Sequence, residues 1–81
     1  MLEELISAPK VVGAKQVRRA LKDGRAARLF LADDADPRVT EPLAQLAGEQ
    51  GVPVERVPDM KKLGSACSIS VGSAAAAVLS H

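Results

Sequence analysis

Hydrophobic positions fall in short blocks along the chain, and their period changes from block to block. Val17, Ala20, Leu21 and Gly24 follow the i, i+3, i+4, i+7 spacing that lines one face of a helix, and Lys15, Arg18, Arg19 and Lys22 repeat it elsewhere on the same cylinder. The pattern predicts an amphipathic helix over 14–23 with a basic stripe, closed by Gly24 as a C-terminal cap. Just before it, Val11 and Val12 form a brief apolar strand that ends at Gly13, and residues 3–7 read as a short first helix stopped by Pro9. Residues 29–32 are a continuous apolar run, the pattern of a strand covered on both faces and therefore central in a sheet.

Asp36 and Pro37 suit a turn or the start of a helix, but a helix begun there would run through Pro42, which disturbs a helix interior. Thr40 as N-cap, with Pro42 in the first turn, is the less strained expectation. Leu43, Leu46 and Ala47 then supply the buried face, and Gly51 ends the helix. Val52, Val54 and Val57 predict another short strand, interrupted by Pro53 and stopped by Pro58; Asp59 caps a helical turn through Met60 and Leu63 that breaks at Gly64. Residues 73–79 admit two readings: a helix by alanine's intrinsic preference, or a small alanine-lined strand packed closely under helices. Alternating helices and strands imply a layered α/β sandwich with helices on both faces of a small sheet.

Composition narrows the possible functions. The 81 residues form one small domain, 1–81, whose core must come from Val, Leu, Ile and Ala because Phe30 is the only aromatic residue. An aromatic platform for stacking single-stranded bases is excluded. The single cysteine, Cys67, cannot form an internal disulfide, the first residues lack the features of a signal peptide, and no run approaches about 18 apolar residues. A cytoplasmic protein outside the membrane is expected.

Charge is sorted by region. Lys10, Lys15, Arg18, Arg19, Lys22, Arg25 and Arg28 stand against Asp23 alone, a balance of +6, whereas residues 33–59 carry −5. A polyanion would meet one pole of the molecule. Arg18, Lys22, Arg25 and Arg28 read as sources of field and phosphate contacts.

Two segments carry candidate chemistry. Gly13-Ala14-Lys15-Gln16 lies where a strand gives way to the basic helix; free N–H groups at such a junction favour phosphate oxygens, a glycine admits close approach, and Arg19 follows one turn on. Residues 61–69 pair Lys61 and Lys62 with a small, apolar, glycine-hinged loop able to press against an unstacked base. The acids Asp33, Asp34 and Asp36 have no second carboxylate cluster or histidine beside them and read as a solvated turn. Cys67 has no partner for nucleophilic chemistry but the terminal His81, and no Walker, dinucleotide or zinc pattern occurs. No catalytic residue, metal or cofactor is expected.

The ordered set Gly13-Ala14-Lys15-Gln16, Arg19-Ala20-Leu21, Leu29-Phe30-Leu31-Ala32, Asp34-Ala35-Asp36-Pro37, Lys61-Lys62-Leu63-Gly64-Ser65-Ala66-Cys67 and Val71 resembles the kink-turn-binding ribosomal protein family of the archaeal and eukaryotic large-subunit type, especially its short bacterial YbxF-type members. The resemblance covers about residues 9–79. It implies a three-layer α/β/α sandwich with a small mixed sheet of about four strands, and it makes residues 74–79 a strand. It also implies a non-catalytic, monomeric binder of kink-turns, in ribosomal RNA, a riboswitch or another structured RNA, which carry a bulge followed by tandem sheared G·A pairs. Lys15 and Gln16 would then face guanine edges, Arg19 a phosphate or guanine, and the apolar loop from Leu63 through Gly64, Ser65 and Ala66 to Cys67 would cover the bulged nucleotide.

The first motif departs from the Gly-Thr-Asn-Glu of archaeal and eukaryotic members: Gln16 replaces a carboxylate and Ala14 removes a hydroxyl that could cap the helix, while Ser68 stands where bacterial relatives often have glycine. Two rival readings need different chemistry. A protein-interaction module would use the basic helix and the 63–69 loop against an acidic partner. A phosphate-handling enzyme would need a general base beside Gly13, and the sequence offers none.

Overall fold

Seven elements alternate along the chain in the computed structural model, which describes residues 8–67 and 72–80. They are β1 (Lys10–Val12), α1 (Ala14–Lys22), β2 (Ala26–Ala32), α2 (Pro37–Gln50), β3 (Val54–Val57), α3 (Met60–Ala66) and β4 (Ala75–Leu79). The expected helix at 3–7, together with Ser68, Ile69, Val71 and His81, lies outside the described residues. Among the described residues no helix is long and apolar enough to cross a membrane.

The sheet runs β1-β4-β2-β3, with β4 antiparallel to both β1 and β2 and β3 parallel to β2. Leu29 faces Ala77 on one side and Val54 on the other, so β2 is an interior strand as its unbroken apolar run requires. α1 and α2 cover one face, burying Val17, Ala20, Leu21, Leu43 and Ala47 against Leu29, Leu31, Ala75 and Ala77. α3 covers the other, where Leu63 and Cys67 meet Phe30, Val57, Ala76 and Val78. The result is a three-layer α/β/α sandwich around a small mixed sheet.

β4 settles the ambiguous end of the chain as a strand. Ala75, Ala76 and Ala77 are fully buried between two strands and under helices on both sides, and there alanine's preference for helix gives way to the backbone pairing that β1 and β2 offer. Asp23 is the C-cap of α1, and Gly24, with φ +71°, follows directly.

Two expectations are corrected. α2 begins at Pro37, not after Thr40, and passes through Pro42. The stronger start signal wins: the Asp36 carboxylate accepts the Arg38 N–H at 2.9 Å, and Pro37 occupies the first position, where no N–H is needed. Pro42 and Arg38 both lie exposed, so the carbonyl left without a helical partner is on the solvent side, while Thr40 is buried within the helix. Gly51, with φ +70°, ends α2 as expected.

α3, in turn, is not broken at Gly64 but continues to Ala66, so residues 63–66 are helical and Cys67 is their C-cap, rather than an apolar loop. Glycine inside a helix costs only about 1 kcal/mol relative to alanine. The start of α3 is held by two carboxylates: Asp59 Oδ1 accepts the Lys62 N–H at 2.6 Å and Asp34 Oδ1 accepts the Met60 N–H at 2.8 Å. Together with the burial of Leu63, these contacts outweigh the glycine.

Replacing Asp59 by alanine removes one of those caps and is expected to cost about 1 kcal/mol, lowering Tm by about 4–8 °C in thermal denaturation, whereas Asp59→Asn stays near the parent. Gly72 is held against the start of α3: a Cβ there would sit 3.0 Å from the Met60 Cβ and 3.2 Å from its carbonyl carbon, and Ser73 donates its N–H to the Met60 carbonyl at 3.0 Å. Gly72→Ala is therefore expected to lower Tm as well; an unchanged Tm would show that this junction shifts freely.

Candidate nucleic-acid interface

The end of β1 and the start of α1 meet at Gly13, whose φ of +101° and ψ of 145° suit a residue without a side chain. Its N–H donates to the Ala75 carbonyl at 2.9 Å, tying the junction to β4, and its carbonyl accepts the Val17 N–H at 2.9 Å as the first helical bond. Helix geometry leaves the N–H groups of Ala14, Lys15 and Gln16 without intrahelical acceptors. Among the described residues no side chain caps them, and the first turn holds no acidic residue.

All three helices of the described residues begin at this end of the sheet. Ala32 donates to the Ala74 carbonyl at 3.0 Å and Asp33 to that of Val57 at 2.8 Å, so the strands leading to α2 and α3 finish beside Gly13 and Ala75. Each helix presents a partial positive charge there. Asp36 meets that of α2, and Asp59 with Asp34 meets that of α3. Asp33 lies 3.8 Å from Arg56, so the acidic group divides among separate structural partners. Among the described residues only α1 is left open to an outside anion or acceptor.

Lys15, Gln16, Arg18, Arg19 and Lys22 are all exposed on α1. Lys15, Arg18, Arg19, Lys22 and Asp23 line a shallow concavity of about 350 Å³. Among the described residues these four cations have no carboxylate within ion-pair distance. Arg25 and Arg28, grouped with them by sequence, stand apart: Arg25 pairs with Asp23 at 3.4 Å and Arg28 reaches Glu55 at 3.9 Å.

Sequence reasoning missed Arg38. Its guanidinium bonds the Asp36 carboxylate at 2.7 Å, and this contact, aided by the Arg38 backbone N–H, holds the Asp36 carboxyl below the usual carboxylate range. The signal was the Asp36-Pro37-Arg38 sequence itself, which places a cation in the first turn of a capped helix.

The second segment is only partly available. Leu63, Gly64 and Cys67 are buried, Ser65 is exposed and Ala66 half-buried. Burial pushes the Cys67 thiol up, partly opposed by the Lys10 charge, and its side chain serves the core. The chain returning from α3 does meet the first segment: Ser73 Oγ donates to the Ala75 carbonyl at 2.7 Å, the same carbonyl that accepts the Gly13 N–H. Among the described residues no three His, Cys, Asp or Glu side chains are placed to hold a metal ion.

Residues 7–81 match the Ribosomal protein L7Ae/L30e/S12e/Gadd45 family. The chain is 49% identical over 78 residues to the RNA-binding protein YbxF of Geobacillus stearothermophilus, covering 95% of each chain. It is 38% identical over 68 residues to the large ribosomal subunit protein eL8 of Halobacterium salinarum, covering 83% of this chain and 57% of that one. The solved structure of the Giardia lamblia 15.5kD RNA binding protein superposes with a TM-score of 0.87 at 28% identity, covering 99% of this chain and 68% of that one. Fold, length and sequence agree: the chain belongs to the ribosomal protein L7Ae/L30e/S12e/Gadd45 family.

Proposed function

We propose that this protein binds RNA and recognises kink-turns through the open start of α1. The observation that carries the reading is that, among the described residues, of three helix starts gathered at one end of the sheet only that of α1 has no carboxylate bonded to it, and Lys15, Arg18 and Arg19 stand exposed beside it. The names of the relatives, RNA-binding proteins in bacteria and a large-subunit ribosomal protein in an archaeon, agree with an RNA partner.

The chemistry at Lys15 and Gln16 suits one edge of guanine. A sheared G·A pair leaves O6, N7 and N1–H open in a major groove that the kink widens. Lys15 donates to O6 or N7, and the Gln16 carboxamide oxygen accepts from N1–H. That acceptor is neutral, so the bond is weaker than one to a carboxylate. Gly13 lets the RNA backbone approach, and the Ala14 N–H adds a donor. Arg19, one turn further, reaches a phosphate or a second guanine.

Leu63, Gly64 and Cys67 support the second part of the site from inside, and Ser65 and Ala66 present its accessible surface toward the bulged nucleotide. The burial of Leu63 and Cys67 takes apolar surface both from the cover of the bulged nucleotide and from the alternative reading as a protein-interaction module, which needs an exposed apolar loop at 63–69.

Lys15→Ala and Gln16→Ala are each expected to weaken kink-turn binding by about 1–3 kcal/mol. The parent should prefer a kink-turn duplex over one whose G·A pairs are converted to Watson–Crick pairs, and the double variant should lose that preference. Equal binding of the parent to both duplexes would refute the reading.

A further inference from the structure

α1 and α2 lie side by side and leave a groove of about 750 Å³ between them. Its apolar lining comes from Val39, Pro42, Leu43 and Leu46 of α2 and Ala14 of α1. Cations stand on both walls: Lys15, Arg18 and Lys22 on α1, Arg38 on α2, with Glu49 as the sole carboxylate among the lining residues. Both helices begin at the same end of the sheet, so the groove opens beside Gly13 and runs toward Lys22 and Glu49. Lys15 belongs both to this groove and to the open start of α1.

Arg38 is held for such a role. Asp36 engages its Nε and Nη2, while Nη1 has no partner among the described residues, and the side chain is 90% exposed. On the opposite wall, Lys15 and Lys22 are seven residues apart, about 10 Å along the helix axis.

We propose that the groove is a second RNA contact, a sequence-blind clamp on the sugar–phosphate backbone of the duplex that flanks the kink. This rests on the RNA reading above. Phosphates lie between Arg18 and Lys22 on one wall and Arg38 on the other, and riboses lie against Pro42 and Val39. Excess positive charge on the α1 wall, the Arg38 guanidinium facing it across the groove, and continuity with the start of α1 through Lys15 favour a nucleic-acid backbone over a protein helix as the occupant.

The test uses kink-turn RNAs with short and long flanking duplexes, titrated over a range of salt with the parent, the Arg18→Ala/Lys22→Ala pair, and Arg38→Ala. The parent should bind the long-flank RNA more tightly and with a steeper fall in log K against log salt. In the pair the slope should become shallower by about 0.7–0.9 per lost phosphate contact, and the gain from the longer flank should shrink, with the preference for a kink-turn over its Watson–Crick control intact. Arg38→Ala should act in the same direction by about one contact.

Variants that keep the parent's slope and flank-length gain would overturn the clamp and leave the groove to another occupant, such as an acidic helix. Variants that lose the kink-turn preference would also overturn it, by assigning these residues to the guanine site. A parent without kink-turn preference would instead refute the reading of the α1 start, while the slopes on short and long duplexes would still decide the clamp.

Discussion

Three helices that start at one end of a sheet bring three partial positive charges into a small volume, and the protein must meet or use each of them. It meets two. Asp36 bonds the first turn of α2, while Asp59 and Asp34 together bond that of α3, with the Asp34 contact reaching across from the end of β2. At α1 the chain passes through a glycine that has nothing to offer the free N–H groups. Three of the seven acidic residues that give the middle of the sequence its negative balance, Asp34, Asp36 and Asp59, are thus committed to closing helix starts, and the basic stripe lies along the helix left open.

Close packing makes that arrangement rigid. An alanine strand in the middle of the sheet leaves no long side chains under α1, so Val17, Ala20 and Leu21 settle directly on Ala75 and Ala77. The Ala75 carbonyl accepts both the Gly13 N–H and the Ser73 hydroxyl, binding the start of α1 to the chain that returns from α3. A donor at Lys15 is positioned by this backbone junction and not by a contact of its own side chain. The same packing turns every unpaired cation of α1 outward.

Much of this was legible from local signals. The period of α1, the unbroken apolar run of β2, the Gly51 stop and the Asp59 cap each have a single physical meaning, and the structure agrees with all four. The misreadings came where two local signals competed. At Pro42 the cost of an interior proline was set against the quality of the cap at Asp36 and Pro37, and sequence alone does not show that Pro42 faces solvent. At Gly64 the breaker was set against a cap supplied partly by Asp34, 26 residues before the N–H it bonds, a contact invisible before folding. The alanine tract was undecided because its outcome depends on neighbours on both sides of the sheet. Within the site, Lys15, Gln16 and Arg19 came together as their helical spacing required, whereas most of 63–67 turned inward once α3 extended, and Arg38 entered only when α2 was seen to begin three residues before Thr40.

The charge sorting of the sequence consequently acquires a structure: paired arginines on the sheet, cations on α1 without an ion-pair partner among the described residues, and acids that close the other helix starts. The claim at the centre of the account is that the uncapped start of α1 is where RNA docks. It is tested most directly by following backbone amide resonances of the isotopically labelled protein as kink-turn RNA is added. The account predicts the largest shifts at the free N–H groups of Ala14, Lys15 and Gln16, with the starts of α2 and α3 changing little. Large shifts at Arg38 and Lys62, whose N–H groups the caps already hold, with none at residues 14–16, would contradict it.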